Sequence, residues 1–252
     1  MTISVAVHGA TGRLGSAIAR LVADAPDLEL AAELSSETPL EAMDGADVLI
    51  DASRLEASEH AVAHALERGL DVVVGTSGWD RARLERLEPT IPAGRGVLVI
   101  PNFSLGSVLG THLSAIAGRW FDSIEIVEAH HAKKADAPSG TAVRTAERIA
   151  AARAEAGLDP VEAPTPEQPG RGAIVDGIAV HALRMAGVVA DQRVVLGGQG
   201  ETLEIRHLTM DSSAYERGIL LALRTAPETE GLVVGLDALL GLDSTEPKGE
   251  TR

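Results

Sequence analysis

Cysteine is missing from all 252 residues, which excludes disulfides, thiolate metal sites and any route through a thioester intermediate. Phosphorylating semialdehyde dehydrogenases drop out with them. Basic residues are scarce too: 22 Lys and Arg stand against 37 Asp and Glu, a net charge of −15. Neutralising nucleic-acid phosphates requires clustered cations, so the expected partners are small molecules and not nucleic acid. No apolar run approaches the roughly 20 residues that span a bilayer. The N-terminus opens directly into strand-like Ile3-Ser4-Val5-Ala6-Val7, without a basic and apolar leader. No membrane partner and a cytoplasmic location are therefore expected. Internal repeats and low-complexity tracts are absent as well.

The composition that remains is ordinary for a globular protein, 45% hydrophobic and 23% charged, and the length allows one large domain or two modest ones. The first hundred residues alternate strand-like and helix-like segments: Ile3-Val7, Leu14-Ala25, Leu28-Leu34, Val48-Asp51, Glu59-Gly69, Val72-Gly75, Arg81-Leu87 and Val97-Ile100. Short Val/Ile runs alternating with helical periodicity are the rhythm of a parallel sheet with crossover helices. The fold class predicted is α/β: an N-terminal doubly wound, Rossmann-like parallel sheet, followed by a second α+β domain on a mixed sheet. After Pro101 comes a long helix candidate, Leu105-Arg119, then strands near Ile124-Ala129, Ile178-Ala186, Arg193-Leu196 and Leu203-Leu208. Four prolines between Asp159 and Gly172 mark a loop. The domains are drawn as 1-104 plus 218-252 for dinucleotide binding and 105-217 for substrate and assembly. Helical Gly218-Arg224 and apolar Leu232-Leu240 return to the first domain, and the tail from Asp243 to Arg252 is expected to be disordered.

Three motifs carry chemistry. Gly9-Ala10-Thr11-Gly12-Arg13-Leu14-Gly15 follows the first strand and opens the first helix, with glycines at 9, 12 and 15. Such a turn lets backbone N–H groups approach a pyrophosphate at a helix N-terminus. The second strand then ends in Ala32-Glu33-Leu34-Ser35-Ser36-Glu37, so Ser35 stands where an acid commonly binds the ribose diol of NAD. A hydroxyl tolerates a 2′-phosphate that a carboxylate repels, and Arg13 can pair with it. The cofactor expected is NADPH, or NADPH and NADH alike. Glu33 supplies the diol contact if the strand ends earlier. Gly75-Thr76-Ser77-Gly78 and Pro101-Asn102-Phe103-Ser104, the latter preceded by Ile100, close later strands on the edge where α/β sheets bind ligands. Taken singly, each of these two loops reads first as turn residues.

The third motif is Glu128-Ala129-His130-His131-Ala132-Lys133-Lys134-Ala135-Asp136-Ala137-Pro138-Ser139-Gly140-Thr141-Ala142. A lone histidine at a strand end is ordinarily structural. Two histidines and two lysines this close repel one another when charged, which favours depressed pKa values or an anionic ligand that stabilises the cluster. No set of neighbours has metal-ligand spacing, so no metal is assigned. Ser139 reads as an N-cap, and Gly140 and Thr141 would offer first-turn N–H groups to a carboxylate. The site suits a dicarboxylic substrate.

These segments, with Gly200-Glu201-Thr202-Leu203-Glu204-Ile205-Arg206-His207, resemble the 4-hydroxy-tetrahydrodipicolinate reductase (dihydrodipicolinate reductase) family over nearly the whole chain. The His-His and Asp-Ala-Pro-Ser-Gly-Thr motif is highly specific. The resemblance implies that His130 donates or accepts a proton, that Lys134 donates one, and that His131, Gly140 and Thr141 bind the substrate carboxylates. It implies cofactor contacts from Gly9, Ala10, Thr11, Gly12, Arg13, Leu14, Ser35, Gly75, Thr76, Ser77, Ile100, Pro101, Asn102 and Phe103. The implied reaction is hydride transfer from NAD(P)H to C4 of the substrate ring after water has left, in the lysine and diaminopimelate pathway, by a homotetramer. The chain departs from the family pattern at Ser35, at Asp51-Ala52-Ser53-Arg54-Leu55 in place of Asp-Phe-Thr-x-Pro, and at Ser212 in place of arginine. Two rival readings stay open at this point: another two-domain NAD(P)-dependent dehydrogenase of an amino or hydroxy acid, and a non-catalytic dinucleotide sensor.

Overall fold

The structure, a computed structural model, describes residues 2–242. The chain divides into two compact units, Met1–Ser104 with Tyr215–Arg252, and Leu105–Ala214. The expectation for residues 243–252 lies outside the described residues.

The first unit is a six-stranded, all-parallel sheet. Its strands are β1 (Ile3–His8), β2 (Leu28–Leu34), β3 (Val48–Asp51), β4 (Asp71–Val74), β5 (Gly96–Val99) and β11 (Gly231–Val234), in the order β11-β5-β4-β3-β1-β2. Every residue of β3, β4 and β5 is buried, as continuous Val/Ile/Leu runs covered on both faces must be. Helices α1 (Arg13–Asp24), α2 (Leu55–Glu67) and α3 (Arg81–Leu87) connect the strands, and α6 (Glu216–Thr225) precedes β11. The chain leaves β1 for β2 on one side and then returns to build β3 on the other, so the switch point where such sheets bind ligands falls between β1 and β3.

Two expected boundaries move. Helix α2 starts at Leu55, four residues before Glu59, because Arg54 provides no side-chain cap to advertise the start. The apolar stretch from Leu232 to Leu240 is a strand and a short helix α7 (Leu236–Leu239), separated at Gly235, whose φ of +97 no L-residue adopts comfortably. A register shift in the β1–β2 pair makes Ala31 the extra residue, since Val5 faces Leu30 and Ala6 faces Ala32. The bulge puts Glu33 on the same face as Leu30. Both line a groove with Ser16, Ala19, Arg20 and Ala23 of α1. Strand β2 runs on to Leu34, so Ser35 is the first residue beyond it.

The second unit is a mixed five-stranded sheet made of β6 (Ser123–His130), β7 (Ala173–Val175), β8 (Ile178–Arg184), β9 (Ala190–Gly198) and β10 (Glu201–Thr209), in the order β10-β9-β6-β8-β7. Only β6 and β8 run parallel. Helices α4 (Leu105–Ala117) and α5 (Gly140–Glu155) complete it. Ala142, Ala146 and Ile149, on one stripe of α5, pack in a single core with Ile124 and Ile126 of β6, Ile178 and Val180 of β8, and Val194 and Leu196 of β9.

Candidate active site

The apolar face of β6 turns chemical without changing sides. Strand alternation carries Ile124 and Ile126, both buried, into Glu128 and His130 on the same face. On the parallel neighbour β8, the same period carries Ile178 and Val180 into Arg184, directly opposite His130. Glu128 is fully buried, and both its carboxylate oxygens are hydrogen-bonded. Its Oε2 lies 2.6 Å from His130 Nδ1 and accepts from Arg184 Nη1 at 2.9 Å; its Oε1 accepts from Arg184 Nη2 at 2.9 Å and from the Ser139 backbone N–H at 3.0 Å.

Burial alone would push the Glu128 carboxyl up, but the hydrogen bonds from Arg184, His130 and Ser139 outweigh it and hold the group below the ordinary glutamate range. An ionised Glu128 can only accept, so His130 carries its proton on Nδ1 toward it and turns Nε2 outward. Arg184 also donates through Nη2 to the Asp136 carbonyl at 2.5 Å, which ties the loop after β6 to the same pair.

That loop presents the remaining expected residues. Lys134 Nζ lies 2.8 Å from Asp136 Oδ1, and the lysine is less exposed than its partner, 24% against 56%. His131 is exposed. Ser139 caps α5, accepting from the Ala142 N–H at 3.2 Å, and no acid stands in the first helical turn. Gly140 faces open space: a Cβ there would meet nothing within 4 Å. His130, His131, Lys134, Gly140 and Thr141 therefore sit on one strand end, one loop and one helix start of the second unit. Glu128 and Arg184 were not singled out from sequence. Glu128 was legible as the next inward position of the Ile124, Ile126 alternation, whereas Arg184 needed the β6–β8 pairing.

In the first unit the glycine loop has the geometry its spacing predicts. Gly9 takes φ +80, and a Cβ there would lie 2.6 Å from the Ala52 carbonyl oxygen; one on Gly15 would lie 2.1 Å from the Gly9 oxygen. Gly9 and Ala10 donate their N–H groups to Leu34 O at 2.9 and 3.0 Å, and Gly12 donates to Gly9 O. These residues shape the turn. The N–H groups of Arg13 and Leu14 open α1, whose Gly12 N-cap carries no side chain and whose first turn holds no acid. Such an end favours an anion, so the residues present fit a dinucleotide pyrophosphate.

Across the switch point, His8 Nδ1 lies 2.7 Å from Asp51 Oδ1, Ser53 Oγ donates to Asp51 Oδ1 at 2.6 Å and Thr76 Oγ1 donates to Asp51 Oδ2 at 2.5 Å. Burial works to raise the Asp51 pKa, and the bonds from His8, Ser53, Ser58 and Thr76 more than reverse it, leaving a lowered value. The Thr76 hydroxyl thus has protein partners, including the Ser53 N–H at 2.9 Å, and fastens loops at the ends of β3 and β4. Phe103 is buried, its ring filling the space a Cβ on Gly75 would need, 2.8 Å from Cε2. Ile100 is buried and donates to Val74 O. Pro101 and Ser77 are exposed, and Asn102 Oδ1 accepts from the Ser104 N–H. Ser35 shares hydroxyl contacts with Thr38. His8, Asp51 and Ser53 form the cluster that sequence reading did not single out as a site.

Comparison with known proteins finds relatives along nearly the whole chain. Residues 3–103 match the family model described as dihydrodipicolinate reductase, N-terminus, and residues 106–240 match its C-terminus model. A 4-hydroxy-tetrahydrodipicolinate reductase of Clavibacter michiganensis subsp. michiganensis is 51% identical, covering 98% of this chain and 90% of that protein. One from Beutenbergia cavernae is 48% identical over 96% of this chain and 100% of its own. Among solved structures, the dipicolinate-bound dihydrodipicolinate reductase from Paenisporosarcina sp. TG-14 superposes with a TM-score of 0.81 at 28% identity, covering 94% of this chain and 99% of that one.

Proposed function

The chain belongs to the dihydrodipicolinate reductase family, NAD(P)H-dependent oxidoreductases that reduce 4-hydroxy-tetrahydrodipicolinate in the lysine and diaminopimelate pathway, and we propose how its residues divide that work. The observation that carries the reading is the buried Glu128, which fixes His130 through Nδ1 and joins the loop bearing Lys134 to the start of α5.

The reduced nicotinamide, when bound, supplies the hydride for C4 of the substrate ring. The chain's own part is to bind two carboxylates and to deliver a proton to the adjacent carbon. Lys134 donates that proton from an ammonium paired with a neighbouring carboxylate. His130 exchanges a proton at Nε2, with its ring orientation and tautomer set by Glu128. His131 and the N–H groups of Gly140 and Thr141 at the start of α5 receive the carboxylates. In the first unit, the backbone N–H groups of Arg13 and Leu14, set by the turn through Gly9, Ala10, Thr11 and Gly12, receive the pyrophosphate, and the Arg13 side chain is left for the 2′-phosphate. Ser35 and Arg13 admit a 2′-phosphate, so NADPH is the preferred cofactor with NADH also used. Ser77, Pro101 and Asn102 face the ligand edge, while Gly75, Thr76, Ile100 and Phe103 set its shape.

The domain roles follow: residues 1-104 with 218-252 bind dinucleotide, and 105-217 bind substrate and assemble. Assembly as a homotetramer is supported by the sheet face opposite α5, where Leu183 and Leu208 are 48% and 47% exposed. A cytoplasmic location is part of the same reading, since the step belongs to amino-acid biosynthesis. Among the described residues, no helix is long and apolar enough to cross a membrane.

The test is calorimetric titration of dipicolinate, the dicarboxylate carried by the solved relative, into wild type, His131→Ala and Thr141→Pro with NADPH present, since proline in the first turn of α5 removes the Thr141 N–H and is tolerated there. Weaker binding in both variants, by at least the tenfold that 1.4 kcal/mol represents, supports the carboxylate assignment. Unchanged affinity in both removes it.

A further inference from the structure

One acid in the candidate site has no part in the division of labour above. Asp136 holds the Lys134 ammonium at 2.8 Å. The Asp136 carboxyl is held below the ordinary aspartate range, first by the Lys134 hydrogen bond, with the nearby Gly140 N–H a minor contribution. A cation and a first-turn N–H of α5 are donors suited to a substrate carboxylate, and a carboxylate of the chain already lies against the cation.

How Asp136 is held shows which part of it can leave. Its main chain is fastened, because its carbonyl accepts from Arg184, which is itself locked by both oxygens of buried Glu128. Its side chain is 56% exposed, so rotation about its own bonds carries the carboxylate into water without unfolding the loop. Lys134 is the more buried of the two and stays aimed at the seat. Open space in front of Gly140 leaves room for an incoming group.

We propose that Asp136 is a specificity-determining residue, a carboxylate of the chain that occupies the seat of one substrate carboxylate and must be displaced by it. The inference rests on the carboxylate-binding role given above to Gly140 and on Lys134 standing at the same site as proton donor. The tethered group competes at high effective concentration, so a ligand with two well-placed carboxylates displaces it while a weakly held anion does not. It also keeps the Lys134 ammonium paired until the substrate arrives.

The experiment compares wild type with Asp136→Asn and Asp136→Ala. Asp136 is exposed, and both variants should keep the wild-type thermal midpoint within a degree or two; circular dichroism checks this. Dipicolinate is titrated calorimetrically with NADPH present, and KM and kcat are measured in the synthase-coupled assay. Displacement predicts that dipicolinate affinity rises and substrate KM falls in both variants by about three- to fivefold, the size of an exposed ion pair lost as a competitor. Sulfate should inhibit the variants more strongly than it inhibits wild type. Unchanged or weaker dipicolinate binding with a fall in kcat alone would overturn the proposal and make Asp136 an aid to aiming Lys134. A Lys134→Ala control keeps the two levels apart: if it binds dipicolinate as wild type does, the seat itself has been misassigned, whatever Asp136 does.

Discussion

Glu128 Oε2 lies 2.6 Å from His130 Nδ1, and the same carboxylate is gripped through both oxygens by the fork of Arg184. A fully buried acid with this many donors is a fixed orienting group. Replacing it by glutamine keeps the shape, removes the charge and offers His130 an amide that can hydrogen-bond either way. Glu128→Gln is expected to lower kcat by about 10²-fold, the low end of what a positioned proton donor contributes. It should cost about 3 kcal/mol of stability, because the Arg184 charge is left without its partner. Steady-state kinetics with NADPH saturating, and urea unfolding, check the two effects separately.

The acid limb of stability follows from the same group. The folded-state pKa of Glu128 lies below its unfolded value, so below about pH 4.3 the unfolded chain binds more protons. Its contribution is fully present above that pH and is lost as pH falls toward the folded value. The thermal midpoint of wild type should therefore drop between pH 5 and pH 3 more steeply than that of Glu128→Gln. Parallel curves would remove Glu128 as the cause.

The glycine loop tolerates no side chain at two positions, for different reasons. A Cβ on Gly15 would lie 2.1 Å from the Gly9 carbonyl oxygen, which separates α1 from β1; one on Gly9 meets the Ala52 backbone and a φ of +80. Each alanine substitution is expected to destabilise the protein by about 1–3 kcal/mol and to abolish tight NADPH binding. By contrast, Gly140→Ala should leave stability within about 0.5 kcal/mol, since the site is open. Nucleotide titration by fluorescence, with thermal midpoints alongside, tests all three.

Cofactor choice is the property most exposed to single substitutions. Arg13→Ala should raise KM for NADPH about tenfold, as expected for loss of a charged hydrogen bond, and leave KM for NADH nearly unchanged. Ser35→Asp should move preference toward NADH by repelling the 2′-phosphate. A shift in both cofactors together after Arg13→Ala would make Arg13 a general pyrophosphate contact.

Much of this was readable in the residues. The run of βαβ segments gave the parallel sheet because strands buried on both faces must be continuously apolar. Gly9 and Gly15 announced the turn because only glycine fits it. The His130 to Thr141 segment is local, so one stretch of chain held most of the candidate site, and the family resemblance it carried is borne out. Arg184 was out of reach because it arrives from a strand whose parallel pairing with β6 is a long-range fact. Asp51 joins ends of three strands and looked like an ordinary departure from a motif. The bulge at Ala31, which re-aims Glu33, leaves no mark in a run of alanines.

The most direct measurement is loss of reduced-nicotinamide absorbance, with substrate made fresh from pyruvate and aspartate semialdehyde by its synthase, for wild type, His130→Ala and Lys134→Ala, with NADPH and NADH in parallel. The account predicts rapid, synthase-dependent oxidation by wild type. It predicts a loss of about 10²- to 10⁴-fold in both variants with NADPH binding unchanged. Full activity in either variant, or oxidation that continues without the synthase, would contradict it.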